Sequence, residues 1–206
     1  MSNFNKIHDI LIEKSKNYSF LKKCIQKTGI KTLEKTGLDL FSFITRTVIG
    51  QQISNSAAES IWLKVENHIN LKKTSFYDFY TKKKNRSFLT KLGVSKRKNS
   101  YINNIFEELF SNRLIEKELT LLNSKKFHKK MMQYKGIGNW SCNMIEIFYL
   151  KKINIWPKDD FVINKICRLI NQKENTVINY EEIFSPYLTV LALHFWELNK
   201  KFKELE

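Results

Sequence analysis

The chain has 206 residues, of which 36 are Lys or Arg and 20 are Asp or Glu, and its formal net charge is +16. This length suits one domain or two small lobes. With 42% hydrophobic and 13% aromatic residues, it is too apolar for a disordered tail. No apolar run approaches the ~18–20 residues of a membrane span, and the first residues show no export signal. These features predict a globular cytoplasmic protein.

The excess of basic residues indicates a polyanionic partner, most simply nucleic acid. Lysine greatly outnumbers arginine, and its ammonium is a point charge suited to phosphate. An alternative is compositional, because a chain rich in Lys, Asn and Ile can reflect an AT-rich genome. That alternative explains the choice of Lys over Arg, but it explains the shortage of acids less easily.

The cysteines and histidines show no metal-binding pattern. The three cysteines are far apart in sequence, so they predict neither a disulfide framework nor a zinc ribbon. Three thiolates also fall short of the four that usually hold an iron–sulfur cluster. The four histidines form no H-x-x-x-H or H-x-E motif. We therefore expect no catalytic metal held by side chains. The cysteines are Cys24, Cys142 and Cys167.

Helical periodicity runs through the chain. Apolar residues recur at three- and four-residue steps in 41–65, 101–110 and 140–148, which indicates amphipathic helices. The stripe at 41–65 is either one long helix or two abutting ones. Residues 161–170 and 187–198 are apolar nearly all round and predict buried helices. Alternating apolar segments bounded by turn residues are few. The pattern predicts an all-α protein.

Two short segments interrupt this helical pattern. In YKGIGNW, Gly136 and Gly138 permit a positive φ and a close backbone approach. The amides of such a turn at a helix N-terminus can hold a phosphate, and Lys135 stands beside them. An ordinary interhelical turn is the alternative. In GQQIS, residues 50–54, two adjacent amide side chains either cap a helix break or hydrogen-bond bases.

Acidic and aromatic residues add candidate chemistry. Asp159 and Asp160 directly precede the helix predicted at 161–170. Either acid can cap that helix and complement its dipole. An acid close to a DNA backbone disfavours plain binding, which points to another use. Trp140 and Trp196 are core residues by default, or large π faces that stack an extruded base.

Together these segments resemble the helix–hairpin–helix DNA glycosylase superfamily, most closely its 3-methyladenine DNA glycosylase II branch. The hairpin alone occurs in many DNA-binding proteins, whereas the hairpin, the downstream Pro-x-x-Asp and GQQIS together are specific. The resemblance covers about residues 38–198, and residues 1–37 match nothing that we can place. The segments that carry it, in the family's order and spacing, are FITRTVIGQQIS, LGVSKRKNSYI, YKGIGNWSCNMI, WPKDDFVINKI and SPYLTVLALHFW.

The resemblance implies two α-helical lobes with an active-site cleft between them. Residues 38–156 would form a middle lobe that ends with the hairpin, at about 127–150. Residues 1–37 and 157–206 would form the second lobe and carry the catalytic aspartate. The resemblance also implies that the protein is a monomer. It further implies a protein of bacterial type that is associated with the nucleoid in the cytoplasm.

The resemblance further implies a monofunctional glycosylase of base excision repair. Such an enzyme flips an alkylated purine out of double-stranded DNA and hydrolyses the N-glycosidic bond, leaving an abasic site. The expected substrate is 3-methyladenine, followed by 7-methylguanine, ethenoadenine and hypoxanthine. Trp140 stands where bifunctional members carry a Schiff-base lysine. The alternatives are a glycosylase for another lesion, including one with lyase activity, and a non-catalytic DNA-binding module.

Residue roles follow from the same resemblance. Asp160 aligns with the family's essential aspartate, and Asp159 is left to cap the helix. No cofactor and no iron–sulfur cluster are expected, although hairpin carbonyls in the superfamily often coordinate Na⁺ or K⁺. Gln51 and Gln52 fall near the wedge that fills the vacated stack, and Trp140 and Trp196 would line the base pocket. The implied DNA-binding residues are Gln51, Gln52, Lys135, Gly136, Gly138 and Asn139. The implied cation ligands are the carbonyls of Met132, Tyr134 and Ile137.

Overall fold

The computed structural model describes residues 3–110 and 115–203. Within these ranges the chain forms thirteen α-helices and no β-strand, which confirms the predicted all-α class. No helix of the described ranges is long and apolar enough to cross a membrane. A 3₁₀ turn lies at Lys83–Asn85, and π-helical segments extend α7 and α10 at Phe106–Phe110 and Ile145–Tyr149. The helices are α1 (Asn3–Lys14), α2 (Ser19–Thr28), α3 (Leu40–Gly50), α4 (Asn55–Leu71), α5 (Phe76–Thr81), α6 (Phe88–Lys91), α7 (Lys96–Ile105), α8 (Ile115–Thr120), α9 (Ser124–Met131), α10 (Asn139–Met144), α11 (Phe161–Glu174), α12 (Tyr180–Phe184) and α13 (Leu188–Lys203).

The chain divides into two compact units. Unit 1 comprises Met1–Lys35 and Glu146–Glu206, and unit 2 comprises Thr36–Ile145. The domain bounds predicted from the sequence place the second boundary later, between residues 156 and 157. By its contacts, the connection that leads into α11 therefore belongs to unit 1.

The core of unit 1 contains one face of α11. Ile163, Ile166 and Ile170 are buried at spacings of three and four residues, as an amphipathic helix requires. They pack in one cluster with residues of α1, α2 and α13. Each such side chain contributes roughly 1.5–3 kcal/mol relative to its exposed state. The expectation that the helix over 161–170 is buried all round is wrong, since Phe161 is 76% exposed and Lys165 and Arg168 are exposed as well.

An aromatic cluster holds α3 in the core of unit 2. The ring of Phe41 on α3 lies between four others, with centroid separations of 5.0–5.2 Å. Tilted and edge-on pairs at such distances are favourable beyond their buried area, by about 0.5–1.5 kcal/mol each. The cluster fixes the helix whose C-terminal end leads into GQQIS. The four rings around Phe41 are Phe76, Tyr80, Phe106 and Phe110.

The apolar stripe predicted over 41–65 is two helices, α3 and α4. Helix α3 ends at Gly50, and the side chain of Ser54 caps α4 by accepting a hydrogen bond from the Ala57 amide at 3.2 Å. Ser and Thr are favoured at this position because their oxygen satisfies an amide that the helix itself cannot reach. GQQIS therefore occupies the break between two separately capped helices.

A buried histidine lies in the core of unit 1. His194 on α13 is fully buried, and its ring centroid is 5.4 Å from that of His8 on α1. Its Nδ1 lies 2.6 Å from the Thr28 hydroxyl oxygen. Desolvation, with smaller contributions from His8 and Lys31, lowers the pKa of His194 from 6.5 to about 3. The imidazole is therefore neutral in the folded protein well below neutral pH.

We predict that this histidine makes folding stability pH-dependent. In the unfolded chain the imidazole binds a proton below pH 6.5, whereas in the folded protein it does so only near pH 3. The neutral imidazole makes its full contribution to the free energy of unfolding above pH 6.5. As the pH drops from 6.5 toward 3, the free energy of unfolding falls by up to about 1.4 kcal/mol per pH unit. Urea unfolding of wild type and His194→Asn at pH 7.5, 6.0 and 5.0 measures this difference.

The control is His128→Gln, which should keep the wild-type slope because it leaves His194 in place. The prediction fails if wild type and His194→Asn lose stability in parallel between pH 7.5 and 5.0.

Candidate functional site

Asp160 is the N-cap of α11 and is only 7% exposed. Its Oδ1 accepts hydrogen bonds from the backbone amides of Val162 and Ile163, both at 3.0 Å. The indole Nε1 of Trp196 donates to the same oxygen at 3.1 Å. Three donors thus fix the carboxylate at a helix N-terminus, where the dipole complements negative charge.

The expectation that Asp159 caps this helix is wrong. Asp159 is exposed, and the cap is Asp160 itself. The Asp160 amide donates to the Pro157 carbonyl at 3.0 Å, which turns the chain so that residue 160 precedes the first helical turn. Capping and the candidate chemistry therefore fall on one side chain, with Oδ1 serving the cap.

The connection before α11 is anchored to α13 and to the π segment. The buried Thr189 of α13 donates from its hydroxyl to the Lys152 carbonyl at 2.7 Å and accepts from the Ile155 amide at 3.0 Å. The fully buried Glu146 carboxylate pairs with the Lys152 ammonium at 2.6 Å. Because Trp196 is on the same helix as Thr189, these bonds set the register of the Asp160–Trp196 pair.

Phe148 completes this part of the site. Its ring centroid lies 5.4 Å from that of Trp196, at an interplanar angle of 37°. Phe148 belongs to the π segment that follows α10, and π segments occur often at functional sites. Sequence reasoning counted it only as one member of the apolar stripe at 140–148. No periodicity distinguishes a residue that packs on a site tryptophan from a core residue.

The hairpin of unit 2 consists of α9, a turn at 132–138, and α10. The amides of Met132, Tyr134 and Ile137 donate to the carbonyls of residues 128, 131 and 134, at 2.9, 3.2 and 3.0 Å. Ile137 is buried, so its side chain anchors the turn to the protein interior. The turn is thus a defined structure, with its own hydrogen bonds, between two short helices.

The two hairpin glycines meet different demands. Gly136 has φ +96°, and a Cβ on it would lie 2.5 Å from Cδ2 of Tyr101, so neither its backbone nor its surroundings admit a side chain. Gly138 has φ −116° and open space around it. As the N-cap of α10, Gly138 supplies no side-chain acceptor, which leaves the first-turn amides of this helix without a cap from that position.

The structure separates the two glutamines of GQQIS. Nε2 of Gln51 donates to the Gly136 carbonyl at 2.7 Å and to Oγ of Ser141 at 2.9 Å, so its amide protons are engaged within unit 2. Gln52 is exposed and has a left-handed backbone, with φ +56°. Both glutamines are among the residues predicted to bind DNA, and Gln52 is the one of the two that presents its side chain to solvent.

The remaining predicted residues of unit 2 are distributed along the hairpin. Lys135 and Asn139 are exposed, and Oδ1 of Asn139 lies 3.3 Å from Nδ1 of His128. Trp140 is half-buried in the first turn of α10. The structure thus groups Gln51, Gln52, Lys135, Asn139 and Trp140 with the hairpin in unit 2, and Asp160 with Trp196 in unit 1.

The hairpin carbonyls are compatible with the cation predicted there. Met132, Tyr134 and Ile137 all lie within the turn. The Tyr134 carbonyl accepts the Ile137 amide at 3.0 Å, which leaves its second lone pair for another ligand. A set of carbonyl oxygens suits a hard monovalent ion rather than a transition metal. Across the described part of the chain, no three His, Cys, Asp or Glu side chains form a group that could hold a metal ion.

The solved structures that resemble this fold include DNA glycosylases. A 3-methyladenine DNA glycosylase of Schizosaccharomyces pombe in complex with abasic DNA matches with a TM-score of 0.75 and 23% identity, over 95% of this chain and 97% of that one. A DNA-3-methyladenine glycosidase from Bacillus halodurans matches with a TM-score of 0.69 and 24% identity, over 94% and 89%. The chain has the fold of the helix–hairpin–helix DNA glycosylases.

The sequence relatives of the chain point to one kind of DNA glycosylase. DNA-3-methyladenine glycosylase 1 of Schizosaccharomyces pombe is 26% identical over 167 residues, which cover 76% of this chain and 71% of that protein. The DNA-3-methyladenine glycosylase of Saccharomyces cerevisiae is 29% identical over 78% of this chain and 67% of its own length. No family model matches the chain. Its homologues thus include DNA-3-methyladenine glycosylases.

We predict that the two hairpin glycines differ in their tolerance of alanine. Gly136→Ala should lower the free energy of unfolding by about 2–4 kcal/mol, because it combines a strained φ with a clash against the Tyr101 ring. Gly138→Ala is the matched control and should cost less than about 1 kcal/mol, since its φ is ordinary and its surroundings are open. Urea unfolding measures both. Equal losses in the two variants would contradict the assignment of the tight turn to Gly136.

Proposed function

We propose that this protein is a monofunctional DNA glycosylase that removes 3-methyladenine, and with it other alkylated purines, from double-stranded DNA. Its homologues carry the name of that activity, and its fold is that of such enzymes. The observation that carries the proposal is the buried Asp160 carboxylate, held by two helix amides and the Trp196 indole. Hydrolysis of the N-glycosidic bond leaves an abasic site.

The chemistry needs one carboxylate. Alkylation at ring N3 or N7 makes the purine cationic, so it leaves as a neutral base when the bond from C1′ to the ring nitrogen breaks and the electron pair stays with the purine. Positive charge then develops on the sugar, and Asp160 stabilises it electrostatically. Water adds to C1′ and loses its proton to Asp160 or to solvent. A second acid to protonate the leaving group, as in sugar hydrolases, is unnecessary.

Trp140 and Trp196 serve the extruded base in this proposal. Their π faces stack on a purine, and a cationic ring adds cation–π attraction of about 0.5–2 kcal/mol. A neutral, undamaged purine gains less from the same faces. Because residue 140 is a tryptophan and not a lysine, no Schiff base forms with the sugar at that position. The reaction therefore ends at the abasic site without strand cleavage.

The hairpin binds the DNA backbone. The first-turn amides of α10, preceded by the side-chain-free Gly138, face a phosphate, and the exposed Lys135 and Asn139 add contacts. A monovalent cation held by the carbonyls of the turn would add positive charge beside the same phosphate. A net charge of +16 makes binding strongly salt-dependent. Gln52 enters the base stack as the wedge, and the enzyme acts as a monomer in the cytoplasm, at the nucleoid.

We predict that Asp160→Asn loses base release and keeps DNA binding. The amide oxygen of Asn still caps α11, so the variant folds, but it carries no charge to stabilise the sugar cation. Release of 3-methyladenine from methylated duplex DNA, followed by chromatography of the freed bases, should fall by about 10²–10³-fold. Affinity for abasic DNA should stay within about threefold of wild type. A panel of 7-methylguanine, ethenoadenine and hypoxanthine duplexes gives the lesion range.

Asp159→Asn is the control, because Asp159 is the exposed neighbour and should retain full activity. Full activity of Asp160→Asn would remove that residue from the mechanism. Base release by neither wild type nor variant, together with tight binding of abasic DNA by both, would favour a non-catalytic binding module. A covalent protein–DNA adduct trapped by borohydride would show lyase chemistry instead.

We further predict that the indole N–H of Trp196 contributes to the rate. Trp196→Phe keeps an aromatic face but removes the donor to Asp160 Oδ1, so the carboxylate loses one of its three fixed partners. Single-turnover base release should fall by about tenfold, the value of one hydrogen bond to a charged group. The ring isostere benzothienylalanine at 196 should reproduce the loss, and the same isostere at Trp156 should not. An unchanged rate with the isostere at 196 would limit Trp196 to stacking.

A further inference from the structure

We propose that Gln51 and Lys98 are positioning residues that lock the turn bearing Gln52 onto the hairpin. DNA backbone binding at the hairpin then fixes where Gln52 enters the base stack. The inference rests on the proposed function, and it assigns Gln51 a role different from direct contact with DNA. It is carried by a set of contacts among α3, α7 and the hairpin, all within unit 2.

The first contact joins the end of α3 to both parts of the hairpin. Nε2 of Gln51 donates to the carbonyl of Gly136 in the turn at 2.7 Å and to Oγ of Ser141 in α10 at 2.9 Å. Ser141 is only 2% exposed, so this bond is protected from water. A primary amide has two protons, and both are used. One side chain thus ties the residue before Gln52 to the phosphate-binding turn.

The second contact comes from α7. The Lys98 ammonium donates to the carbonyls of Ile49 and Gln51, at 2.7 and 2.8 Å. These carbonyls belong to the end of α3, where a helix leaves acceptors unsatisfied and favours positive charge. Partial burial lowers the pKa of Lys98, and the neighbouring Arg97 lowers it further. The chain has 36 basic residues. The ammonium of this one is engaged with the protein backbone through the two bonds to α3.

The third contact closes the set. Tyr101 lies one helical turn after Lys98 on α7, and its ring packs directly on Gly136, where any Cβ would come within 2.5 Å of it. Helix α7 therefore contacts the Gln51–Gln52 turn through Lys98 and the hairpin turn through Tyr101. If the Gln51–Gln52 turn moved relative to the hairpin, the contacts of α7 through Lys98 or through Tyr101 would break.

The contacts of Gln51 and Lys98 lie next to a residue with an unusual backbone conformation, Gln52. Its φ of +56° is unfavourable for a residue with a side chain. The bonds to the side chain and carbonyl of Gln51 hold the residue directly before it. The wedge is thus preorganised before DNA arrives, which removes an ordering cost from base extrusion. We call the bonds of Gln51 and Lys98 the brace. Without the brace, the hairpin still holds phosphate, but the position of Gln52 relative to the hairpin is no longer fixed.

The test is Gln51→Met, which keeps the length of the side chain and removes its donor. Single-turnover release of 3-methyladenine should fall by about 10–100-fold, while affinity for abasic duplex changes by less than about threefold. Extrusion, followed by the fluorescence of 2-aminopurine in the duplex, should fall with the rate. Lys98→Met, which breaks the brace from the other side, should give the same split. Gln26→Met, at an exposed position of α2 and away from the hairpin, is the matched control and should behave as wild type.

A double-mutant cycle with Gln52→Ala separates positioning from direct contact. If Gln51 acts through Gln52, then Gln51→Met should cause little further loss of rate in the Gln52→Ala background. Fully additive losses would overturn the proposal, and so would a parallel loss of abasic-DNA affinity, which would mean that Gln51 only supports the hairpin. If wild type released no base from methylated DNA, the proposed function would fail, whereas the fluorescence comparison would still decide for or against the brace.

Discussion

The ends of helices, where backbone groups have no partner within the helix, determine how this protein is built around its candidate site. The first turn of α11 needs an acceptor, and Asp160 supplies it through Oδ1. The last turn of α3 needs a donor, and Lys98 supplies it. At the start of α10 the capping position is glycine, so no side chain is supplied there. Asp160, the turn that bears Gln52 and the amides proposed to bind phosphate lie at these three ends, whereas Trp196 lies within α13.

In the proposed function, the Asp160 carboxylate serves both stability and chemistry. A capping side chain is worth about 0.5–2 kcal/mol, so the helix holds the carboxylate in place, and the carboxylate in turn starts the helix. Thr189 and Glu146 extend this support, because their bonds fix the connection before α11 to α13. The Asp160 carboxylate is therefore held by backbone amides and buried side chains rather than by a loop. A rigid carboxylate suits a reaction in which charge appears at a fixed point.

Much of this arrangement was predictable from sequence, and the exceptions have physical reasons. Apolar spacing alone predicts α3, α4, α7, α10, α11 and α13, and the scarce glycines mark the hairpin. The choice between Asp159 and Asp160 as cap depends on the turn at Pro157, which periodicity does not describe. Gln51 and Gln52 are identical side chains, and only the backbone reversal at residue 52 separates an internal brace from an exposed residue. Periodicity places Phe148 only in an apolar stripe, because its packing against Trp196 depends on the tertiary structure.

The contact of the Tyr101 ring with the bare Cα of Gly136 also constrains how this protein can evolve. A ring occupies the volume where a side chain at 136 would begin, so the two positions cannot drift independently. A lineage that lost the aromatic ring at 101 would leave a cavity beneath the turn, and one that gained a side chain at 136 would first have to lose the ring. Aligned relatives should show the pair changing together, with glycine retained wherever an aromatic residue faces it.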